Sequence, residues 1–206
     1  MERFAKLIHS QVINIILGVF LSLTWGAFAW SHVNAFESSG KIAFIVFALS
    51  ETLQAVFFLI RKTPKHVSMD PFSWLVAGAG TFVPLFLRPG GDALWAYGDM
   101  FVFLGVTLQI LGLLSLNRSF AIVAANRQIK THGMYKFIRH PMYASYIFLF
   151  SGYFLFNTTL MNGMIVLFAF IFMFLRIQEE EKLLSRDADY VLYKKEVRWR
   201  LIPFIY

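Results

Sequence analysis

Two short stretches concentrate the groups able to do chemistry. The first, "RHPMY" at residues 139–143, ends a polar segment that includes "NRQIKTHGMYKFI" and precedes an uncharged run from Ala144 to Phe156. Pro141 suits the first position of a helix, where its missing N–H would have had no partner. The N–H groups just beyond it, at the positive end of the helix dipole, favour an anion such as a carboxylate or phosphate. Arg139 and His140 add charge and donors at the same point, and Gly133 supplies backbone angles that other residues avoid. On pattern alone, Arg139 and Lys136 serve equally well as anchors to lipid headgroups.

The second stretch is "RIQEEEKLL", residues 176–184, at the exit of the last apolar run. On a continuing helix Arg176 and Glu180 share a face, and Glu181 lies about 100° further round. Three consecutive acids beside an anionic membrane surface are unfavourable unless they face a cation or an enclosed pocket. The plainer reading is a solvated helix with an ordinary ion pair. Taken together, an anion site and nearby carboxylates suit a zwitterionic ligand with an extra positive centre. S-adenosylmethionine, with its carboxylate, ammonium and sulfonium, has that form. No metal site is expected, because the histidines at 9, 32, 66, 132 and 140 lack ligand spacing. The absence of cysteine excludes disulfides, thiolate metal sites and a cysteine nucleophile.

The elements that must position these stretches are membrane helices. The chain has 206 residues, 58% hydrophobic and only 15% charged, which departs from the roughly 25% charged content of soluble domains. Apolar segments run from Val12 to Asn34, Ile42 to Ile60, Phe72 to Leu87 and Leu94 to Leu116. A fifth region, Met142 to Leu175, is interrupted by "NTTLMNG" at 157–163, which predicts a turn between two shortish helical arms. With the N-terminus inside, the inner pieces hold 17 of the 19 Lys and Arg, leaving outside only Lys41 and Arg88. The bias of basic residues to the inner side therefore predicts about six helices with both termini cytoplasmic, in the inner or plasma membrane if the source is bacterial. Trp30, Trp74 and Trp95 fall near the boundaries, where aromatic belts lie. The expected fold is an all-α integral membrane bundle, one transmembrane domain over 1–206, with its pocket on the cytosolic side.

Other features have competing readings. Arg3, Lys6 and the later Ala27-Phe28-Ala29 fit a cleavable signal, but the apolar run continues through Trp30, so a retained first helix is expected. The net charge of +7 follows from basic membrane loops, and no nucleic-acid partner is expected. Gly78 and Gly80 read as close helix packing, since no strand precedes them. Glu51 near the middle of the second span, with Gln54 one turn on, either lines a substrate tunnel or is a structural group bonded to Gln109, Asn14 or another helix.

These motifs resemble the isoprenylcysteine carboxyl methyltransferase family and the related phospholipid methyltransferases of membranes. Ile129, Gly133, Tyr135, Arg139, His140, Pro141 and Tyr143 follow the first family pattern, Arg176, Glu180, Glu181 and Leu183 the second, and Tyr190, Tyr193, Val197 and Pro203 the usual tail. The likeness spans about 115–206. It departs at "SRDADYVLY", which is shorter than in members with Phe-Gly before the tyrosines. The resemblance implies an enzyme that binds S-adenosylmethionine in a cytosolic pocket, releases S-adenosylhomocysteine, and takes a lipophilic small molecule or lipid sideways from the bilayer. It assigns Gln128, Ile129, Lys130, His132, Gly133, Tyr135, Arg139, His140, Tyr143, Glu180 and Glu181 to the cofactor. Arg176 and Glu180 then have catalytic roles, Arg176 orienting a glutamate or an acceptor carboxylate. An NADPH-dependent sterol-type reductase shares a similar C-terminal half, though such proteins are usually longer. A non-enzymatic membrane protein that keeps the fold is the third reading.

Overall fold

The computed structural model describes residues 10–61, 66–116, 125–126 and 129–206. Seven α-helices account for most of them: α1 (Gln11–Ser39), α2 (Ile42–Ile60), α3 (Pro71–Phe82), α4 (Gly98–Leu116), α5 (Pro141–Phe156), α6 (Leu160–Leu184) and α7 (Ala188–Glu196). A two-residue antiparallel pairing of β1 (His66–Val67) with β2 (Ala125–Asn126) is the regular extended structure among the described residues. Helices α1, α2, α4 and α6 are long and apolar enough to cross a membrane, and α3 and α5 are shorter apolar helices. The chain is a helical membrane bundle, as its composition predicts.

The sequence marks most boundaries through particular residues. Gly40, with φ +69, ends α1, and its N–H donates to Phe36 O at 2.7 Å. Asp70 caps α3, with Pro71 at the first position. Pro84, which cannot donate to the helix ladder, falls where α3 tightens into a 3₁₀ turn at Val83–Phe86, so the expected 72–87 span is helical in two parts. The fourth span begins at Gly98 rather than Leu94, because the N–H groups of Leu94 and Trp95 turn back to Leu155 O. The predicted turn at 157–163 narrows to 157–159, because the Thr159 side chain accepts from Asn162 N at 3.0 Å and caps α6 at once. Asn162, inside α6, holds the preceding loop through Arg88 N and Arg88 O, at 3.2 and 3.0 Å. The two arms are unequal, 16 residues in α5 and 25 in α6, and α6 passes Arg176 without a break.

The core lies between α2, α4, α5 and α6, around Phe47, Val102, Leu149, Tyr153 and Val166. Outward-facing Ile15, Phe20 and Leu23 of α1 are exposed, as surfaces packed by lipid would be. Helices α4 and α5 approach closely at Gly105, where an added Cβ would lie 2.5 Å from Leu149 N. Of the pair read as packing glycines, Gly80 meets Phe172 of α6, whereas Gly78 has open space beside it. An exposed helix interior normally gains up to about 1 kcal/mol from Gly→Ala. Gly105→Ala should reverse that sign and cost about 1–3 kcal/mol by overpacking. Thermal unfolding in detergent checks it against Gly26→Ala, which has nothing within 4 Å and should hold or raise the midpoint.

Candidate functional site

The two motif stretches meet at one end of the bundle. His140 caps α5, Pro141 starts it, and the backbone N–H groups of Arg139 and His140 donate to Trp199 O and Arg200 O, each at 2.9 Å. The C-terminal segment is thus laid along the loop immediately before the helix. Gly133 sits at φ +62 against Ser115, whose hydroxyl accepts from Met134 N at 3.1 Å. That contact fixes the loop on the end of α4.

The three consecutive acids of α6 point to three different partners, as their successive rotation requires. Glu179 accepts from Ser73 Oγ at 2.6 Å and ties α6 to α3. Glu180 accepts from the Tyr143 hydroxyl at 2.9 Å. Glu181, 5% exposed, is ringed by three cations, Arg139 Nε at 2.8 Å, Arg200 Nη2 at 3.1 Å and Lys194 Nζ at 3.9 Å, and by the His140 imidazole, with Nε2 at 3.2 Å. Arg139 also donates to Val197 O and Arg198 O, both at 3.1 Å. It is therefore a buried strut and not a headgroup anchor, whereas Lys136 stays exposed. Arg200 is partly desolvated, yet Glu181 pushes it above its ordinary range.

The tail helix α7 closes the cluster. Tyr190 and Tyr193 pack with Val197 against Ile129, Tyr135 and Leu184, and the Tyr193 hydroxyl donates to Tyr135 O at 2.7 Å. Burial pushes the phenols of Tyr135, Tyr190 and Tyr193 upward, with neighbouring carboxylates adding to the effect, so all three are neutral donors. Ile129 and Lys130 are partly buried, and His132 lies exposed at the start of a 3₁₀ turn, Gly133–Lys136. Gln128 lies outside the described residues.

Arg176 and Glu51 lie deeper in the bundle. Arg176 Nη1 donates to Thr81 Oγ1 at 3.1 Å, and its guanidinium stacks 5.6 Å from the centre of the Tyr143 ring. It lines a cavity with Glu51, Gln54 and Tyr146. Glu51, 3% exposed, accepts from Gln54 Nε2 at 3.3 Å, and Gln54 Oε1 accepts from Tyr146 OH at 3.1 Å. Gln109 reaches Glu51 indirectly, through Ser50 Oγ at 2.5 Å. The carboxyl is thus both a bonded group within the bundle and part of a cavity wall. Among the described residues, no group of three or more His, Asp or Glu side chains converges as metal ligands.

Sequence reasoning missed Arg200, Thr81 and Ser115. Arg200 had a signal in the surplus of basic residues in the tail, while the hydroxyls had none, since serine and threonine occur in every segment. Compared with known proteins, residues 73–187 match the family described as phospholipid methyltransferase. That match begins earlier than the motifs alone indicate and stops before α7, within the shortened stretch at 185–193. No curated protein matches the chain.

Proposed function

The chain belongs to the phospholipid methyltransferase family, and from that membership we propose that it transfers methyl from S-adenosylmethionine to a lipophilic acceptor at the membrane–cytosol boundary. The family implies a methyltransferase acting on lipid-like molecules. The finer reading rests on one observation: Tyr143 joins Glu180 at one end of the bundle, and Arg176, whose guanidinium lies 5.6 Å from the centre of that tyrosine's ring, lines a cavity within it.

The donor set suits the cofactor. Glu180 offers a carboxylate whose hydrogen-bonding partner is a neutral phenol, suited to an ammonium or sulfonium, while His140 and the first turn of α5 offer donors to a carboxylate. Gly133, Tyr135 and their neighbours back to Ile129 would frame the nucleoside side. When bound, S-adenosylmethionine supplies an electrophilic methyl on sulfur, and S-adenosylhomocysteine is what remains. The protein's own task is alignment and exclusion of water. Arg139, Glu181 and Arg200 hold the loop, helix and tail together, and Tyr143 fixes the Glu180 carboxylate. Arg176, on the cavity side of Tyr143, faces the acceptor and orients its polar end. In this reading the ionic cluster and both termini are cytoplasmic, and six helices span the bilayer.

Calorimetry in detergent tests the proposal, with S-adenosylmethionine expected to bind and NADPH not. Incubation with methyl-labelled cofactor and a total membrane extract should place label in a lipid-soluble product. Binding of NADPH alone would replace this reading with a reductase. The cavity makes a separate prediction. Glu51→Gln keeps side-chain length and a carbonyl acceptor for Gln54, so the fold should persist. The ratio of labelled products from the extract should nevertheless change about threefold or more. An unchanged product ratio would leave Glu51 with a structural role alone.

A further inference from the structure

Tyr190 is 3% exposed, and among the described residues its hydroxyl is buried without a hydrogen-bond partner. Leaving such a group unpaired costs free energy, and native interiors rarely do it without a reason. Packing alone does not call for the oxygen. The chain has 24 phenylalanines and uses them freely in its core, where a phenyl ring would fill the same space. The neighbouring tyrosine on the same face of α7, Tyr193, spends its hydroxyl on Tyr135 O. Tyr190, three residues earlier, instead lies where the charges of Glu181, Glu180 and Arg139 act on it. Its ring packs against that of Tyr193, tilted at 51° with the centroids 5.8 Å apart.

We infer that the Tyr190 hydroxyl is a cofactor-binding donor, reserved for an uncharged acceptor atom on the nucleoside half of S-adenosylmethionine. The inference rests on the donor proposed above and adds to it a residue of the tail, outside the stretch matched to the family. The two glutamates disfavour a second carboxylate beside them, which directs the cofactor's own carboxylate elsewhere and leaves a neutral ring nitrogen or ribose oxygen for the phenol. A buried donor without a partner in the protein discriminates by what it loses when unfilled.

The test is Tyr190→Phe in the full-length protein in detergent, with two readouts. Affinity for S-adenosylmethionine by calorimetry should fall about three- to tenfold, the usual loss for one neutral hydrogen bond. The unfolding midpoint without cofactor should hold or rise by about 2–4 °C, because an unpaired buried hydroxyl has been removed. Unchanged affinity in the variant overturns the inference, and so does a midpoint several degrees lower, which would mean that the hydroxyl has a partner within the protein. If the wild type fails to bind S-adenosylmethionine at millimolar concentration, the parent reading falls and this one with it.

Discussion

Glu181→Ala is expected to lower the stability of the protein by about 3–5 kcal/mol, the largest loss of any single carboxylate replacement in the chain. The magnitude follows from burial. Arg139 and His140 are 8% and 5% exposed, and removing the carboxylate leaves the Arg139 charge and the imidazole donor without their partner in a buried site. The same residue also joins three segments distant in sequence: the loop before α5, the end of α6 and the tail at Arg200. Loss of the anion should therefore free the tail. The unfolding midpoint in detergent should drop by about 10 °C, and limited proteolysis should cut first near residues 185–206. Glu179→Ala is the comparison with a smaller expected loss: its Lys182 partner is exposed and that pair contributes at most about 1 kcal/mol, while the bond it accepts from Ser73 adds about 1.5–3 kcal/mol. A cycle combining Arg139→Met with Glu181→Leu should recover part of the loss, because an apolar pair of similar volume replaces a buried ion pair at low cost. Equal midpoints for the Glu179 and Glu181 variants would remove Glu181 from the structural role.

The fold was legible where it depends on spacing within one segment. Runs such as 42–60 and the start at Pro141 carry their own length and stop signals, so the helices follow directly. Boundaries set by distant partners were not legible: Leu94 and Trp95 leave the fourth helix because Leu155 O accepts from them, and nothing near 94 announces it. The site divides in the same way. That three adjacent acids rotate onto three faces is a property of any helix, but which face meets a cation depends on where the tail runs. Glu180 and Glu181 are therefore both assigned to the cofactor in sequence, Glu180 with a catalytic role as well. The structure gives Glu181 three protein cations and a histidine within 4.0 Å and pairs Glu180 with a phenol. The glycine that brings α4 against α5 went unread for a related reason, because a small residue in an apolar run looks alike whether or not a backbone lies beside it.

That difference between neighbours makes Glu180→Gln the sharpest test of the site. The substitution keeps the side chain's length and leaves a carbonyl oxygen for the Tyr143 hydroxyl, so α5 and α6 should stay joined and the unfolding midpoint should move by no more than a few degrees. What disappears is the negative charge. A hydrogen bond from a cationic ligand to a carboxylate contributes about 1.5–3 kcal/mol, so affinity for S-adenosylmethionine should fall roughly 10- to 100-fold. Methyl transfer at subsaturating cofactor should fall in parallel. Tyr143→Phe separates positioning from charge: it keeps the carboxylate but loses its orienting donor, and should weaken binding by a smaller factor, about three- to tenfold. Glu181→Gln supplies the opposite profile, with stability lost first and binding lost as a consequence. If Glu180→Gln binds S-adenosylmethionine as tightly as the wild type while Glu181→Gln remains folded and does not bind it, the two roles are reversed, and the charged contact to the cofactor belongs to the carboxylate now ringed by arginines.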